Sequence, residues 1–426
     1  MSRATNGFCK PASVWLILLS AFAGSSLQVG LHATGDDVVA TTPQRMRLPR
    51  LDFSEPPVLP EVDAPSARTI SQSIRSGIAF LVSDQNPNGS WGSATRTKDL
   101  NIYAPVPGAH HAFRAATTSL CLSALLECAE DDDAHAQKAI DRAEAWLFDY
   151  LPRLRRADGT AMYNVWGHAY SIEALSHLYE RHADNPQKTE KIRSLIEDQF
   201  AMLRRYESVD GGWGYYDQRY KAQRPTSSSI SFVGGTALVA MHRANSIGIE
   251  PPEDMVQRAV AAIHRQQKPD FTYLYGEYLK DRPMREVNRP GGSLGRSQCC
   301  NVALRFWGDT DVTDNVLKHW LYRLYERNGW LDIGRKRPVP HESWFQVAGY
   351  FYYFGHYYAA MCIDELPPNE RAPYRAMLAD LIVPLQEKNG CWWDYPLYDY
   401  HRPYGTAMAI MTLQRCLPER EIEGRQ

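Results

Sequence analysis

From Ile70 onward the apolar positions of the chain recur every three or four residues, and Ile70, Ile74, Ile78 and Leu81 share one face of a helix. The same period predicts helices over roughly 69–83, 134–153, 187–205, 252–267, 313–326 and 370–387. A second set falls between them, over roughly 112–128, 167–181, 227–245, 293–307, 345–363 and 403–416. No stretch alternates convincingly as a strand. The second set is richer in Ala, Ser, Thr, Gly and Cys, as in Thr117-Thr118-Ser119-Leu120-Cys121-Leu122-Ser123-Ala124. Small side chains let helices approach closely. The contrast predicts an outer ring of larger, more charged helices around a tightly packed inner ring, closed by six hairpins.

The turns between the helices repeat as well. Gln85-Asn86-Pro87-Asn88-Gly89-Ser90-Trp91 and Gln386-Glu387-Lys388-Asn389-Gly390-Cys391-Trp392 both read Q-x-x-x-G-x-W. Glu207-Ser208-Val209-Asp210-Gly211-Gly212-Trp213 replaces Gln with Glu, and Glu326-Arg327-Asn328-Gly329-Trp330 is a shortened copy. Ala157-Asp158-Gly159 and Gln266-Gln267-Lys268-Pro269-Asp270 are degenerate copies. Anchored on Gly89, Gly159, Gly211, Asp270, Gly329 and Gly390, the intervals are 70, 52, 59, 59 and 61 residues, a period of about sixty. Gly supplies the positive φ that ends a helix, Trp can cover the seam between hairpins, and Gln can bond exposed helix-end groups.

In-phase Q-x-x-x-G-x-W turns between alternating helices resemble the QW motif of squalene-hopene and oxidosqualene cyclases. The hairpin array is similar to the terpenoid cyclase and protein prenyltransferase toroid over about residues 69 to 418. The resemblance implies an all-α, (α/α)6 toroid whose inner-helix N-termini face a central cavity. The chain also departs from these families. Squalene-hopene-type cyclases carry a D-x-D-D acid motif on an inner helix, whereas Asp131-Asp132-Asp133 here lies in a polar loop before an outer helix. The inner-helix starts show Thr226-Ser227-Ser228-Ser229 and Arg296-Ser297-Gln298-Cys299 instead. Prenyltransferase β subunits bind zinc through an Asp-x-Cys pair and a later His; His401 occupies a similar place, but no matching Asp-x-Cys lies upstream. Zinc, if bound, would fall to His401. The Cys-Gly-Glu-Gln sequence of the related thioester domains is absent.

Composition narrows the partners. Of the 426 residues 44% are hydrophobic and 23% charged, enough to bury a large core, while 47 basic and 49 acidic residues leave a net charge of −2 with no basic block for nucleic acid. With 11 Trp, 24 Tyr and 13 Phe, the aromatics suit a thick core or a wall for a small apolar or sugar-like ligand. At the N-terminus, Arg3 and Lys10 precede the apolar run Val14 to Ala23, and Ala21-Phe22-Ala23 offers a cleavage site, the order of a secretory signal. The run is too short for a transmembrane segment and no later stretch is long and uncharged enough to be one. The expected organisation is a signal at 1–33 with cleavage near 23 or 33, a Pro-rich lead-in at 34–66, the toroid at 67–418 and a polar tail at 419–426, in an exported protein. Beyond Cys9, seven cysteines without C-x-x-C spacing do not indicate a full disulfide framework.

Candidate chemistry gathers at the inner-helix starts: His110-His111, Gly167-His168-Ala169-Tyr170, Gly355-His356-Tyr357-Tyr358 and Tyr400-His401-Arg402-Pro403-Tyr404. In a toroid these approach one mouth of the cavity, so His111, His168, Tyr170, His356, Tyr358 and Tyr404 are expected to line it. Tyr398 falls near the same rim. Glu342, beside His341, with Asp394 and Asp399 supplies carboxylates, and Glu342, Asp399 and His401 are the candidate catalytic groups, since His titrates near neutrality and carboxylates orient it. Each His can equally cap or pack a helix and recur because the repeat does. No G-x-S-x-G elbow or H-E-x-x-H helix is present. The expected role is the binding of an apolar or isoprenoid-like ligand. The alternatives are a secreted (α/α)6 lyase or glycosidase, whose carboxylates would be Glu342 with Asp399 or Asp394, and a non-catalytic protein scaffold.

Overall fold

The computed structural model describes residues 53–99, 107–156, 165–214 and 229–418. The signal segment, most of the Pro-rich lead-in, Ala157-Asp158-Gly159, Thr226-Ser227-Ser228 and the tail from 419 lie outside the described residues. The described chain forms α1 (Ala67–Asp84), α2 (His110–Cys128), α3 (Ala134–Tyr150), α4 (Trp166–Arg181), α5 (Pro186–Tyr206), α6 (Ser231–Ser246) and α7 (Glu253–Gln266). It continues with α8 (Leu294–Phe306), α9 (Asp314–Glu326), the one-turn α10 (Gly329–Asp332), α11 (Phe351–Asp364), α12 (Arg371–Ile382) and α13 (His401–Cys416). Among the described residues there is no strand beyond two isolated bridges.

Helices α2, α4, α6, α8, α11 and α13 each pack on the next, and α13 returns to α2, so these six close a ring. Around it, α3 packs on α2, α5 on α4, α7 on α6, α9 on α8, and α12 on α11 and α13, while α1 packs mainly on α13. The fold is an (α/α)6 toroid. Its inner helices are buried almost all round, and small residues set their spacing: a Cβ on Gly355 of α11 would sit 2.7 Å from the Cα of Gly295 on α8. The outer helices are amphipathic, and several start from a side-chain cap. Asp133 Oδ1 accepts from His135 N and Ala136 N at 3.0 Å, which gives the last member of the acidic triplet a structural role. Asn185 and Thr313 cap α5 and α9 in the same way.

The repeated turn is what locks one hairpin to the next. In its three best copies the indole N–H of Trp91, Trp213 and Trp392 donates to the carbonyl ten residues earlier, of Leu81, Leu203 and Ile382, at 2.8, 2.8 and 2.9 Å. The glycines Gly89, Gly211 and Gly390 have φ of +90°, +90° and +88°, and a Cβ on them would lie 2.3, 2.5 and 2.4 Å from carbonyls of Arg142, Arg258 and Ser76 on the neighbouring outer helix. Gln85 Nε2 donates to Gly89 O and to Ala139 O of α3; Gln386 Nε2 donates to Gly390 O and to Ser73 O of α1. Glu207 cannot donate to a carbonyl, and it instead accepts Arg258 from α7 at 2.8 and 2.6 Å.

The degenerate copy at 266–270 is displaced by one residue from its expected anchor. The turn closes with Lys268 N to Thr272 O and Phe271 N to Lys268 O, so Phe271 (φ 57°) occupies the glycine position and Tyr273 the tryptophan position. The shortened copy at 326–330 is not a turn of this type: Gly329 and Trp330 open α10, and Trp330 is 37% exposed. Two helix boundaries also move. Pro384, which has no N–H, leaves only a 3₁₀ turn after Ile382 where 370–387 was expected. Residues 345–350 form turns before α11, with Gln346 at φ 54°. Seven cysteines are buried free thiols, Cys121, Cys128, Cys299, Cys300, Cys362, Cys391 and Cys416. No helix among the described residues is long and apolar enough to cross a membrane.

Candidate functional site

A small cavity of about 50 Å³ opens among the N-terminal ends of the inner helices. Helix α2 supplies Phe113, Ala116, Thr117 and Leu120, and α4 supplies Trp166 and Tyr170. Tyr350 precedes α11, and His401 and Tyr404 lie on α13. The segment joining the last outer helix to α13 closes the wall with Asp394, Tyr395, Leu397 and Tyr400. Toward α6 and α11 the ring is filled by Phe232, Phe351 and Phe354, packed edge-on at 4.8 to 6.0 Å between ring centroids. The lining is therefore mostly aromatic, the kind of wall that holds an apolar ligand.

Asp394 is the exception. It is 1% exposed, and among the described residues it is the one carboxylate lining the cavity. Tyr353 N donates to its Oδ2 at 3.2 Å, while its Oδ1 has no hydrogen-bond partner. Burial pushes the carboxyl up to about 7, although the Tyr353 N–H, the Arg335 guanidinium and the N–H groups of Asp394 itself and Tyr395 favour the anion. A buried carboxyl with one free oxygen is in its cheapest state when protonated, because an unpaired anion away from water costs far more. At neutral pH and below, Asp394 is thus a proton carrier on an otherwise apolar wall.

The structure brings only part of the expected constellation to this wall. Tyr170, Tyr404 and His401 line it. His401 is held by Nδ1 against Tyr398 O at 2.7 Å, edge-on to Trp393, and burial lowers its pKa. Tyr398, at φ 49°, is one of the few left-handed non-glycine residues and presents that carbonyl. His111 is exposed and lies instead in an outer groove with Tyr150, Arg153 and Arg155. His168 turns outward to α5, with Nδ1 2.8 Å from Gln199 Oε1, and burial lowers it to about 4. His356 is bound between Tyr352 O and Asn328 at 2.7 and 2.9 Å and is likewise lowered to about 4. Tyr358 donates to Thr236 Oγ1 at 3.2 Å, between α11 and α6 and away from the cavity wall. Glu342 and Asp399 are exposed; Asp399 accepts from Ser93 at 3.2 Å. Among the described residues no carboxylate pair faces across the cavity. Nor do the residues around His401 fit zinc, because no group of three metal-binding side chains converges among the described residues.

Sequence reasoning names Asp394 as a neighbouring carboxylate and as an alternative to Asp399 in a carbohydrate-active site, and it misses Phe113, Leu120, Trp166, Tyr350, Tyr395 and Tyr400 as lining residues. The available signal was position. Asp394 follows Trp392-Trp393 directly in the last intact turn, and the chain from that turn must cross the ring mouth to reach α13.

The family model for the squalene-hopene cyclase C-terminal domain matches residues 57–281. The chain belongs to this family. The match covers α1 to α7 of this cyclase-family toroid and stops short of Asp394. Among solved structures, the apo type II terpene cyclase MstE from Scytonema aligns at 14% identity and TM-score 0.46, over 83% of this chain and 99% of that one. A GH76A α-1,6-mannanase of Salegentibacter sp. HEL1_6 aligns at 11% identity and TM-score 0.48, over 82% and 98%. An unsaturated glucuronyl hydrolase from Streptococcus agalactiae aligns at 11% identity and TM-score 0.49, over 85% and 98%. Likenesses this distant speak to neither substrate nor reaction. No curated protein matches the sequence.

Proposed function

We propose that this cyclase-family toroid binds an apolar, isoprenoid-like ligand in its aromatic cavity and presents the neutral carboxyl of Asp394 to the ligand's one polar group. The observation that carries the reading is that single buried, half-partnered acid on an aromatic wall. A protonated Oδ1 donates a hydrogen bond to a ligand hydroxyl or carbonyl, and it can transfer its proton to a more basic or strained oxygen such as an epoxide. The proton would then leave a carboxylate stabilised by Tyr353 N–H, and positive charge developing on ligand carbon would face the rings of Phe113, Trp166 and Tyr170. Because Asp394 sits on a connecting segment and not in a D-x-D-D helix, such acid chemistry would be delivered from a different wall of the ring. Export is part of the same proposal. Its basis is the order of charge, apolar run and small residues at Arg3 to Ala23, and N-terminal sequencing of the mature protein checks it.

Binding can be followed by tryptophan fluorescence, since Trp166 lines the cavity. A short-chain prenol is expected to bind saturably, and about tenfold more tightly than the hydrocarbon of the same length, the worth of one buried hydrogen bond. Asp394→Ala should erase that difference, and Leu120→Trp should fill the cavity and block both ligands. Binding unaffected by Leu120→Trp, or no saturable binding of either ligand, would reject the reading.

A further inference from the structure

The C-terminal halves of all six inner helices meet at the mouth opposite the aromatic cavity, around a cleft of about 360 Å³ whose character is entirely different. Three carboxylates, Glu127, Glu173 and Asp364, face two guanidiniums, Arg243 and Arg415. Both guanidiniums are already occupied. Arg415 forks onto Glu127, reaches Asp364 Oδ2 at 3.3 Å and donates to Met411 O at 3.0 Å. Arg243 pairs with Glu180 and lies 3.3 Å from His177 Nδ1. Among the described residues Glu173 has no ion pair. It is 5% exposed, Tyr357 O–H donates to its Oε2 at 3.2 Å, and its Oε1 has no partner.

Three features select a cation as the missing partner. Burial lowers His177 to about 3, so it stays neutral and adds no positive charge beside Glu173. The C-terminal ends of six helices converge here, each carrying the negative end of its dipole. The unpaired oxygen belongs to an acid remote from the aromatic cavity. A metal ion would need at least three converging ligands, and no such group exists among the described residues. The walls beside the acid are apolar, with Val239 and Met361 flanking Phe306, which stacks on His242 at 4.4 Å.

We propose that this cleft binds a small primary alkylammonium, whose nitrogen donates to Glu173 Oε1 while its alkyl chain lies against Val239, Phe306 and Met361. The site is separate from the aromatic cavity, and Tyr170, Tyr357 and Tyr358 fill the ring between them. Burial raises Glu173 to about 8, against the pull of Tyr357, Arg415 and Arg243 and with the push of Glu127; Tyr170, Tyr358 and Cys299, which also face it, stay neutral. Below that value the free protein carries a proton on Glu173. Binding therefore exchanges it: the O–H bond breaks, the ammonium takes the place of the proton, and the proton leaves to buffer.

Calorimetric titration of the full chain with n-butylammonium at pH 7, in buffers of different ionisation enthalpy, tests this. The expected result is saturable binding that releases close to a full proton, with n-butanol binding about tenfold more weakly or not at all. Glu173→Gln keeps the Tyr357 hydrogen bond and should weaken n-butylammonium by about tenfold while abolishing proton release. Equal binding of n-butanol, binding without proton release, unchanged affinity in Glu173→Gln, or no binding would each overturn the proposal. Proton release is read on the wild-type protein, so the test stands whether or not the variant folds.

Discussion

At the scale of single residues, the chemistry rests on which buried groups hold a proton. Asp394, raised to about 7 from an ordinary 3.8, binds a proton in the folded chain that the unfolded chain has already lost across that interval. Its contribution to stability is therefore greatest at low pH and falls as pH rises from about 4 to 7. Asp394→Asn should flatten the pH dependence of urea unfolding over that window. Prenol affinity should fall above pH 7 in the wild type as the donor is lost, and not in the variant. His168 and His356 act in the opposite sense. Both are held neutral to about 4, while their unfolded forms take up protons near 6.5. They cost stability as pH falls through that range, and His168→Gln should make unfolding midpoints less sensitive to acid between pH 6.5 and 4.5. The histidines at the inner-helix starts show where the sequence stops being legible. Their recurrence at helix starts is real, but inner helices are apolar on nearly every side, and no polar face tells which way a residue points. His168 and His356 turn to the outer layer, whereas His401 meets the cavity.

At the scale of elements, the helices were legible because the outer ones have one apolar face and the inner ones are rich in small residues. The turns were legible only where glycine and tryptophan were both kept. Phe271 hides a turn of the same geometry, since nothing in a phenylalanine announces φ of 57°, and Gly329-Trp330 imitates a turn that is not there. The physics of the intact copies is testable by comparing two glycines. Gly390 and Gly248 share a left-handed backbone, but a Cβ at Gly390 would meet Ser76 O at 2.4 Å and at Gly248 nothing within 4 Å. Gly248→Ala should cost about 1 kcal/mol, the strain of a left-handed alanine alone. Gly390→Ala should cost clearly more by chemical denaturation, because α1 must move as well. Equal costs would mean that the turn does not clamp the neighbouring hairpin.

At the scale of the whole molecule, ring closure joins the first hairpin to the last. Gln386 Nε2 reaches Ser73 O of α1, and α1 packs mainly on α13. Closure gives the ring two unlike ends, an aromatic cavity holding Asp394 and a charged cleft holding Glu173. A carbohydrate-active site would need a second carboxylate opposite Asp394, whereas Glu342 and Asp399 are exposed and Asp394 is the one carboxylate on the wall among the described residues. The most direct measurement is native mass spectrometry, followed by solvent extraction, of wild-type and Leu120→Trp protein purified from its own cells. An isoprenoid or comparable apolar mass bound to the wild type and missing from Leu120→Trp is the expected result. The same mass retained in both, or a polar glycan in place of an apolar ligand, would contradict a ligand-binding role for the aromatic cavity.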